Sequence, residues 1–95
     1  MFIITVTYVA GLDAIDRELE AHRRWVAQGY ADGIFLLSGP QNPRNGGAIL
    51  AHGCDRAALD ARIAQDPFHQ AKVARHDVIE VRPNNADDRL KFLLA

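Results

Sequence analysis

The pattern of hydrophobic and polar positions divides the first third of the chain into a strand and a helix. β-Branched and aromatic residues fill Phe2–Val9, which is typical of a strand. From Leu12 to Ala31 the apolar positions recur every three or four residues, which indicates a helix with one buried face. We expect Gly29 and Gly33 to mark the end of this helix. Its buried face carries Leu12, Ile15, Leu19, His22, Val26 and Tyr30.

The remaining two thirds of the chain contain shorter elements. Three further strands are predicted at Ile34–Ser38, Ala48–His52 and Asp77–Arg82, with the turn-rich Gln41–Gly47 joining the first two into a hairpin. Asp55 is a good N-cap for a helix over Arg56–Ala64. Asp66-Pro67 begins a turn or short helix, and a short helix is also predicted in the tail, over Asp87–Leu94.

The element order β-α-β-β-α-β predicts an α+β fold of the ferredoxin-like type. In that fold a four-stranded antiparallel sheet carries both helices on one face. We expect a single domain over residues 1–95, in which residues 84–95 form a C-terminal tail. The strands are apolar on both sides: Phe2 and Ile4 alternate with Ile3, and Leu36 with Leu37. A second copy of the chain would cover the other face, so we expect a homodimer through the sheet face, an α+β barrel.

Composition and charge narrow the classes of partner. The chain has 95 residues and a formal net charge of −1, without a cluster of Lys and Arg, which argues against nucleic acid and membrane surfaces as partners. Cys54 is the only cysteine, so no intrachain disulfide is expected. The apolar start is too short to cross a bilayer and lacks signal-peptide features, so we expect a cytoplasmic protein. We find no nucleotide-binding motif and predict no cofactor.

His22 is the most informative polar residue because it lies in the middle of the apolar helix face. A buried imidazole without a partner costs roughly 1–3 kcal/mol, so we expect it to have one. Two interpretations remain open at this point. His22 is either a core histidine satisfied by a backbone carbonyl or water, or a general acid or base, since histidine titrates near neutral pH.

Two further segments are candidates for the same site. Asp66 before Pro67 is a good helix N-cap, and it could also orient His22, although 44 intervening positions give no local geometry. Ser38, Gly39 and Pro40 end a strand, where the chain could line a cavity and hold a substrate, or simply turn.

The remaining histidines and the cysteine are not expected to carry chemistry. His52, His69 and His76 do not have the spacing of a metal site, and we expect them on the surface. Cys54 has no activating base nearby in sequence, so we expect a structural role.

The chain resembles the YciI-like (YCII-related) proteins over nearly its whole length. Four segments carry the resemblance: the apolar first strand, AHRRWVAQG at Ala21–Gly29, LLSGP at Leu36–Pro40 and QDPF at Gln65–Phe68. The resemblance implies a dimeric α+β barrel with a His–Asp catalytic dyad, here His22 and Asp66. One characterised branch resembles dehydrochlorinases that act on a chlorinated hydroquinone-type ring. The arginine that members often carry one turn before the histidine is absent, since Glu18 and Leu19 lie there.

These features lead to two function classes and a structural alternative. The first is a small cofactor-independent enzyme in which His22 performs an elimination, isomerisation or proton transfer on a small cyclic or carbonyl compound. Asp66 would orient His22, and Ser38, Gly39 and Pro40 would hold the substrate. The second is a non-catalytic module that binds a small molecule or acts as an accessory subunit. The third is a structural dimer.

Overall fold

The strands and helices follow one another in the predicted order. The computed structural model describes residues 1–94, in which the elements are β1 (Phe2–Tyr8), α1 (Leu12–Ala31), β2 (Phe35–Pro40), β3 (Gly46–Ala51), α2 (Arg56–Ile63), α3 (Pro67–Gln70), β4 (Ala74–Glu80) and a 3₁₀ helix (Asp88–Leu94). The sheet order is β2-β3-β1-β4, and β1 pairs antiparallel with both β3 and β4. The predicted ferredoxin-like α+β fold is therefore confirmed.

The core lies between one face of the sheet and the helices. Phe2, Ile4 and Val6 alternate along β1 and are all buried, as the period of two in a strand requires. From the other strands and the helices, the same cluster receives Ile15, Phe35, Ile49, Ala51, Leu59, Ile63, Phe68, Val73 and Ala74. This arrangement places the helices on a single side of the sheet.

Helix α1 is longer than the surface it covers. Ile15 in its first half is fully buried, but Leu12 and Tyr30 near the ends of the predicted apolar face are exposed. Twenty helical residues span about 30 Å, whereas a seven-residue strand spans about 23 Å. Contrary to the prediction, the helix does not end at Gly29. This residue lies inside α1 and is buried, and a Cβ there would be 2.1 Å from the Phe35 ring, so the glycine permits close helix–sheet packing.

Three predicted strand boundaries are wrong. Strand β4 covers Ala74–Glu80 rather than Asp77–Arg82, because the polar residues at its start pair with β1. Gly46 and Gly47 belong to β3 rather than to the turn, since they pair with β1. Strand β2 extends through Pro40, which pairs with Gly47. A Cβ on Gly46 would lie 1.7 Å from the Val6 carbonyl oxygen, so only glycine fits this pairing.

The second face of the sheet carries a row of aliphatic side chains. Leu37 pairs with Leu50, Leu50 pairs with Ile3, and Ile3 pairs with Ile79, so the row crosses all four strands. Leu37 and Ile79 at its ends are 61% and 57% exposed. We call these four residues the open-face row. None of the helices within residues 1–94 is long and apolar enough to cross a membrane.

Candidate active site

The carboxylate of Asp66 lies between two histidines. The Oδ1 atom of Asp66 is 2.7 Å from Nδ1 of His22, and its Oδ2 atom is 2.7 Å from Nε2 of His76. Asp66 is 0% exposed. Because an ionised carboxylate only accepts hydrogen bonds, both facing ring nitrogens donate to it. The structure therefore brings His22 and Asp66 together, although they are 44 residues apart in sequence.

The sequence Asp66-Pro67-Phe68 builds this arrangement locally. Asp66 is the N-cap of α3, where its Oδ1 also accepts a hydrogen bond from the Phe68 backbone N–H at 3.0 Å. Pro67 takes the first helical position, for which its fixed φ is suited. The cap holds the carboxylate in place, so the same turn that starts α3 aims Asp66 at His22.

The ring of His22 is held by aromatic neighbours as well as by Asp66. It stacks on Phe68 with ring centroids 3.9 Å apart and an interplanar angle of 7°, and it lies 5.7 Å from the Trp25 ring. Trp25 is itself anchored by a hydrogen bond from Nε1 to the Arg62 carbonyl oxygen at 3.0 Å. With Nδ1 committed to Asp66, His22 has only Nε2 left to act on a ligand.

Opposing influences set the ionisation of Asp66. Burial is the largest single influence and raises the pKa of Asp66 by removing water from the carboxylate. The hydrogen bonds from His22, His76 and the Phe68 backbone N–H lower it, and together they outweigh burial. The pKa of Asp66 consequently lies below its ordinary value, so the carboxylate is ionised at neutral pH.

His76 is not a surface residue, contrary to the prediction. Its side chain is only 3% exposed, and its Nδ1 atom is buried without a hydrogen-bond partner within residues 1–94. A proton on Nδ1 would have no acceptor, so Nε2 carries the proton that Asp66 accepts. The polar run Arg75-His76-Asp77 suggests a loop, but continuing the alternation backward from Val78 places His76 on the buried face. His69 is exposed as predicted, and His52 is half-buried beside Phe92.

A cavity of about 560 Å³ opens beside His22. Its apolar walls come from α1, the sheet and Phe68, and include Val6, Leu19, Val26 and Ile49. Ser38, Gly39 and Pro40 also line it, as does the following segment with Gln41, Asn42 and Arg44. His22 is 16% exposed at this cavity, while Asp66 lies behind it and does not line it. A small molecule could therefore meet His22 but not the carboxylate.

The hydroxyl of Ser38 already has a partner within the protein. It lies 2.7 Å from the Tyr30 hydroxyl, and either oxygen can be the donor. Tyr30 packs edge-on against Phe35, with ring centroids 6.2 Å apart. A ligand oxygen could still bond to Ser38, because a hydroxyl can both donate and accept.

Arg23 and Arg44 line the cavity but were missed by the sequence interpretation. Arg23 follows His22 directly, but consecutive helix residues lie about 100° apart around the axis, so the helix pattern gave no signal for it. Arg44 lies between β2 and β3, where no periodic signal exists. It donates a hydrogen bond from Nη2 to Asp16 at 2.8 Å.

The other reactive side chains lie outside this arrangement. Burial raises the pKa of the Cys54 thiol, which is the opposite of what activates a cysteine nucleophile. Within residues 1–94, no group of three or more His, Cys, Asp or Glu side chains is placed to hold a metal ion.

The fold and the site together define a small ferredoxin-like domain that presents a carboxylate-held histidine to a cavity. Residues 1–82 match the family model of the YCII-related domain, and the chain belongs to that family. The resemblance noted from the sequence is thereby confirmed. No curated protein sequence matches the chain.

A solved enzyme structure has the same fold. It is the 5-chloro-2-hydroxyhydroquinone dehydrochlorinase of Burkholderia phenoliruptrix, in complex with 2,5-dihydroxybenzoquinone. The TM-score is 0.74 at 16% sequence identity, and the match covers 84% of this chain and 91% of the dehydrochlorinase chain. At this identity the similarity shows the shared fold alone.

Proposed function

We propose that this domain is a small cofactor-independent enzyme that uses His22 as a general acid and base on a small cyclic or carbonyl compound. The observation that carries the proposal is the 2.7 Å contact between His22 Nδ1 and Asp66 Oδ1 beside an open cavity. A histidine with one nitrogen held by a carboxylate and the other facing a ligand space is suited to proton transfer.

In the proposed reaction each member of the pair has its own role. The Nε2 lone pair of His22 would take a proton from a carbon or oxygen of the substrate. Asp66, ionised behind the ring, would stabilise the imidazolium that forms and keep Nδ1 as the donor. His22 would then return the proton to another substrate atom in an isomerisation. In an elimination it would instead release the proton to solvent as the leaving anion departs.

The similarity to the dehydrochlorinase supports a chlorinated, hydroxylated ring as one substrate to test. Loss of a proton and of chloride from such a ring is a net elimination that needs no redox cofactor. The fold likeness does not choose between elimination and isomerisation, so the test must cover both.

Replacing His22 by alanine is expected to lower the catalysed rate at least about 100-fold, the lower end of the contribution of a general acid or base. The measurement is carbon-bound hydrogen–deuterium exchange in D₂O, followed by NMR on a panel of small hydroxylated and carbonyl rings. The panel includes 2,5-dihydroxybenzoquinone. Chloride release from 5-chloro-2-hydroxyhydroquinone is measured in parallel.

His52→Ala is the matched control because His52 does not line the cavity. It should keep the wild-type rate, and circular dichroism should show both variants folded. Equal rates for His22→Ala and wild type would refute the catalytic role. Saturable binding of these rings without exchange or chloride release would favour a non-catalytic binding module instead.

We also propose that the domain forms a homodimer through the open-face row. A small domain gains burial by self-association, and a sheet face in water normally alternates apolar with polar residues. The row of Leu37, Leu50, Ile3 and Ile79 leaves an aliphatic surface across all four strands instead.

Introducing lysine at Leu37 and Ile79 together is expected to convert a dimer into a monomer, because two charges per copy would face an apolar surface. Analytical ultracentrifugation at micromolar concentration measures the mass of both proteins. Leu90→Lys with Leu94→Lys, two exposed residues of the 3₁₀ helix, is the matched control and should stay dimeric. A monomeric wild-type protein would contradict the proposal.

A further inference from the structure

The charged residues that line the cavity are all cationic or able to become so. Arg23, Arg44 and His22 contribute to the wall, whereas no Asp or Glu of residues 1–94 lines it. The protein as a whole carries 12 acidic and 11 Lys or Arg residues. The cavity wall therefore carries positive charge without the negative charge that balances it elsewhere in the chain. Such a wall favours a negatively charged ligand.

Arg23 has its charge available to a ligand. The neighbouring Arg24 is the residue that pairs with Glu20, with Nη1 of Arg24 3.8 Å from Oε1. Within residues 1–94, Arg23 forms no ion pair with a carboxylate. It is exposed, and it lines the same cavity as His22, so a ligand in that cavity can meet both side chains.

Arg44 brings a second guanidinium from a different part of the fold. Its Nη2 atom is held 2.8 Å from Asp16, and its guanidinium carbon lies 6.0 Å from the centre of the Tyr8 ring. These contacts hold the side chain over the cavity. A guanidinium has five N–H donors, so the single bond to Asp16 leaves donors for a ligand.

We propose that the cavity binds a small organic anion, whose carboxylate or ionised hydroxyl pairs with Arg23 and Arg44. Its apolar body lies against Val6, Val26 and Phe68. A ligand bound in this way would lie beside Nε2 of His22. The proposal of an anion site rests on the proposed function for the choice of this cavity. It adds the charge of the substrate, which the His–Asp pair does not specify.

The test compares two probes of the same shape and different charge, 2,5-dihydroxybenzoate and 2,5-dihydroxybenzamide. The carboxyl group of the first is ionised at neutral pH, and the amide of the second is neutral. Isothermal titration calorimetry is expected to show the benzoate binding about fivefold or more tighter than the benzamide. Added NaCl should weaken only benzoate binding, because salt screens charge interactions.

Three arginine variants locate the effect. Arg23→Gln and Arg44→Gln should each weaken benzoate binding about twofold to fivefold and leave benzamide binding unchanged. Arg24→Gln is the matched control, since Arg24 is the next residue of the same helix and does not line the cavity. It should bind both probes as wild type does.

Several results would overturn the inference. Equal affinity for the two probes would do so, as would benzoate binding that survives the Arg23→Gln, Arg44→Gln double variant or that Arg24→Gln weakens equally. Absence of saturable binding by either probe would also count against it. These results are distinguishable from a failure of the proposed function. Charge-dependent binding of the benzoate, together with no turnover of any compound in the panel of hydroxylated and carbonyl rings, would reject catalysis but retain the anion site.

Discussion

Asp66→Ala is expected to lower the free energy of unfolding by about 3–5 kcal/mol. The substitution removes the acceptor of three hydrogen bonds, from His22, His76 and the Phe68 backbone N–H. The largest part of the loss is expected at His76. Its Nδ1 atom is already without a hydrogen-bond partner within residues 1–94, and its Nε2 atom would lose its partner as well. Urea unfolding followed by circular dichroism measures the change.

Asp55→Ala provides the matched control for the capping contribution. Asp55 is also a helix N-cap, with its side chain accepting a hydrogen bond from the Ala58 backbone N–H at 2.8 Å, but it is exposed and accepts no hydrogen bond from a histidine of residues 1–94. Loss of this cap is expected to cost about 1 kcal/mol. If Asp66→Ala and Asp55→Ala lowered the free energy of unfolding by similar amounts, the contacts of Asp66 with the histidines would contribute nothing to stability. If Asp66→Ala does not fold, Asp66→Asn, which can keep part of the bonding, should show a smaller loss.

The pH dependence of the Asp66→Ala effect has a definite sign. The pKa of Asp66 is lower in the folded protein than its ordinary value, so ionised Asp66 stabilises the fold above the unfolded-state pKa of about 3.9. That contribution is lost as the pH falls through the folded-state pKa. The difference in unfolding free energy between wild type and Asp66→Ala should therefore shrink below about pH 4. A difference that grows as the pH falls below about 4 would contradict the ionised pairing.

Phe68→Ala is expected to lower the free energy of unfolding by about 3–5 kcal/mol through loss of buried contact and the cavity that remains. Phe68 is fully buried and packs edge-on against Tyr8, with ring centroids 6.0 Å apart, besides stacking on His22. The variant should also loosen His22, visible as broader or shifted ring resonances in NMR spectra. Thermal and urea unfolding measure the stability.

Phe92→Ala tests whether any large aromatic residue would give the same result. Phe92 is exposed in the 3₁₀ helix and contacts His52 edge-on. Its replacement is expected to change stability by no more than about 0.5 kcal/mol. A loss for Phe92→Ala as large as that for Phe68→Ala would show that the tail supports the core as much as α3 does.

Periodicity predicted the parts of this fold in which burial is regular. Helix α1 covers Leu12–Ala31 as expected, and β1 alternates buried and half-buried residues over most of its length. The errors fall where pairing overrides local composition. Gly46 reads as a turn residue, yet it pairs with Thr7, and the polar start of β4 pairs with the end of β1.

The site was only partly accessible from sequence. The helix pattern directed His22 inward, and the family resemblance supplied Asp66 as its partner. No rule of spacing can give a distance across 44 residues, because that distance depends on how α3 packs against α1. His76 and Arg44 were missed for a different reason, because each lies in a stretch whose local sequence resembles an ordinary polar segment.

The turn at Asp66-Pro67-Phe68 couples the stability of the fold to the placement of His22. Its residues begin a helix, pack in the core and contact His22, so a change there would alter both stability and the position of the His22 ring. Arg23, Ser38 and Arg44 line the cavity without being buried in the core. Side chains of the cavity rim can accordingly be exchanged at little cost to stability, whereas those of the turn cannot.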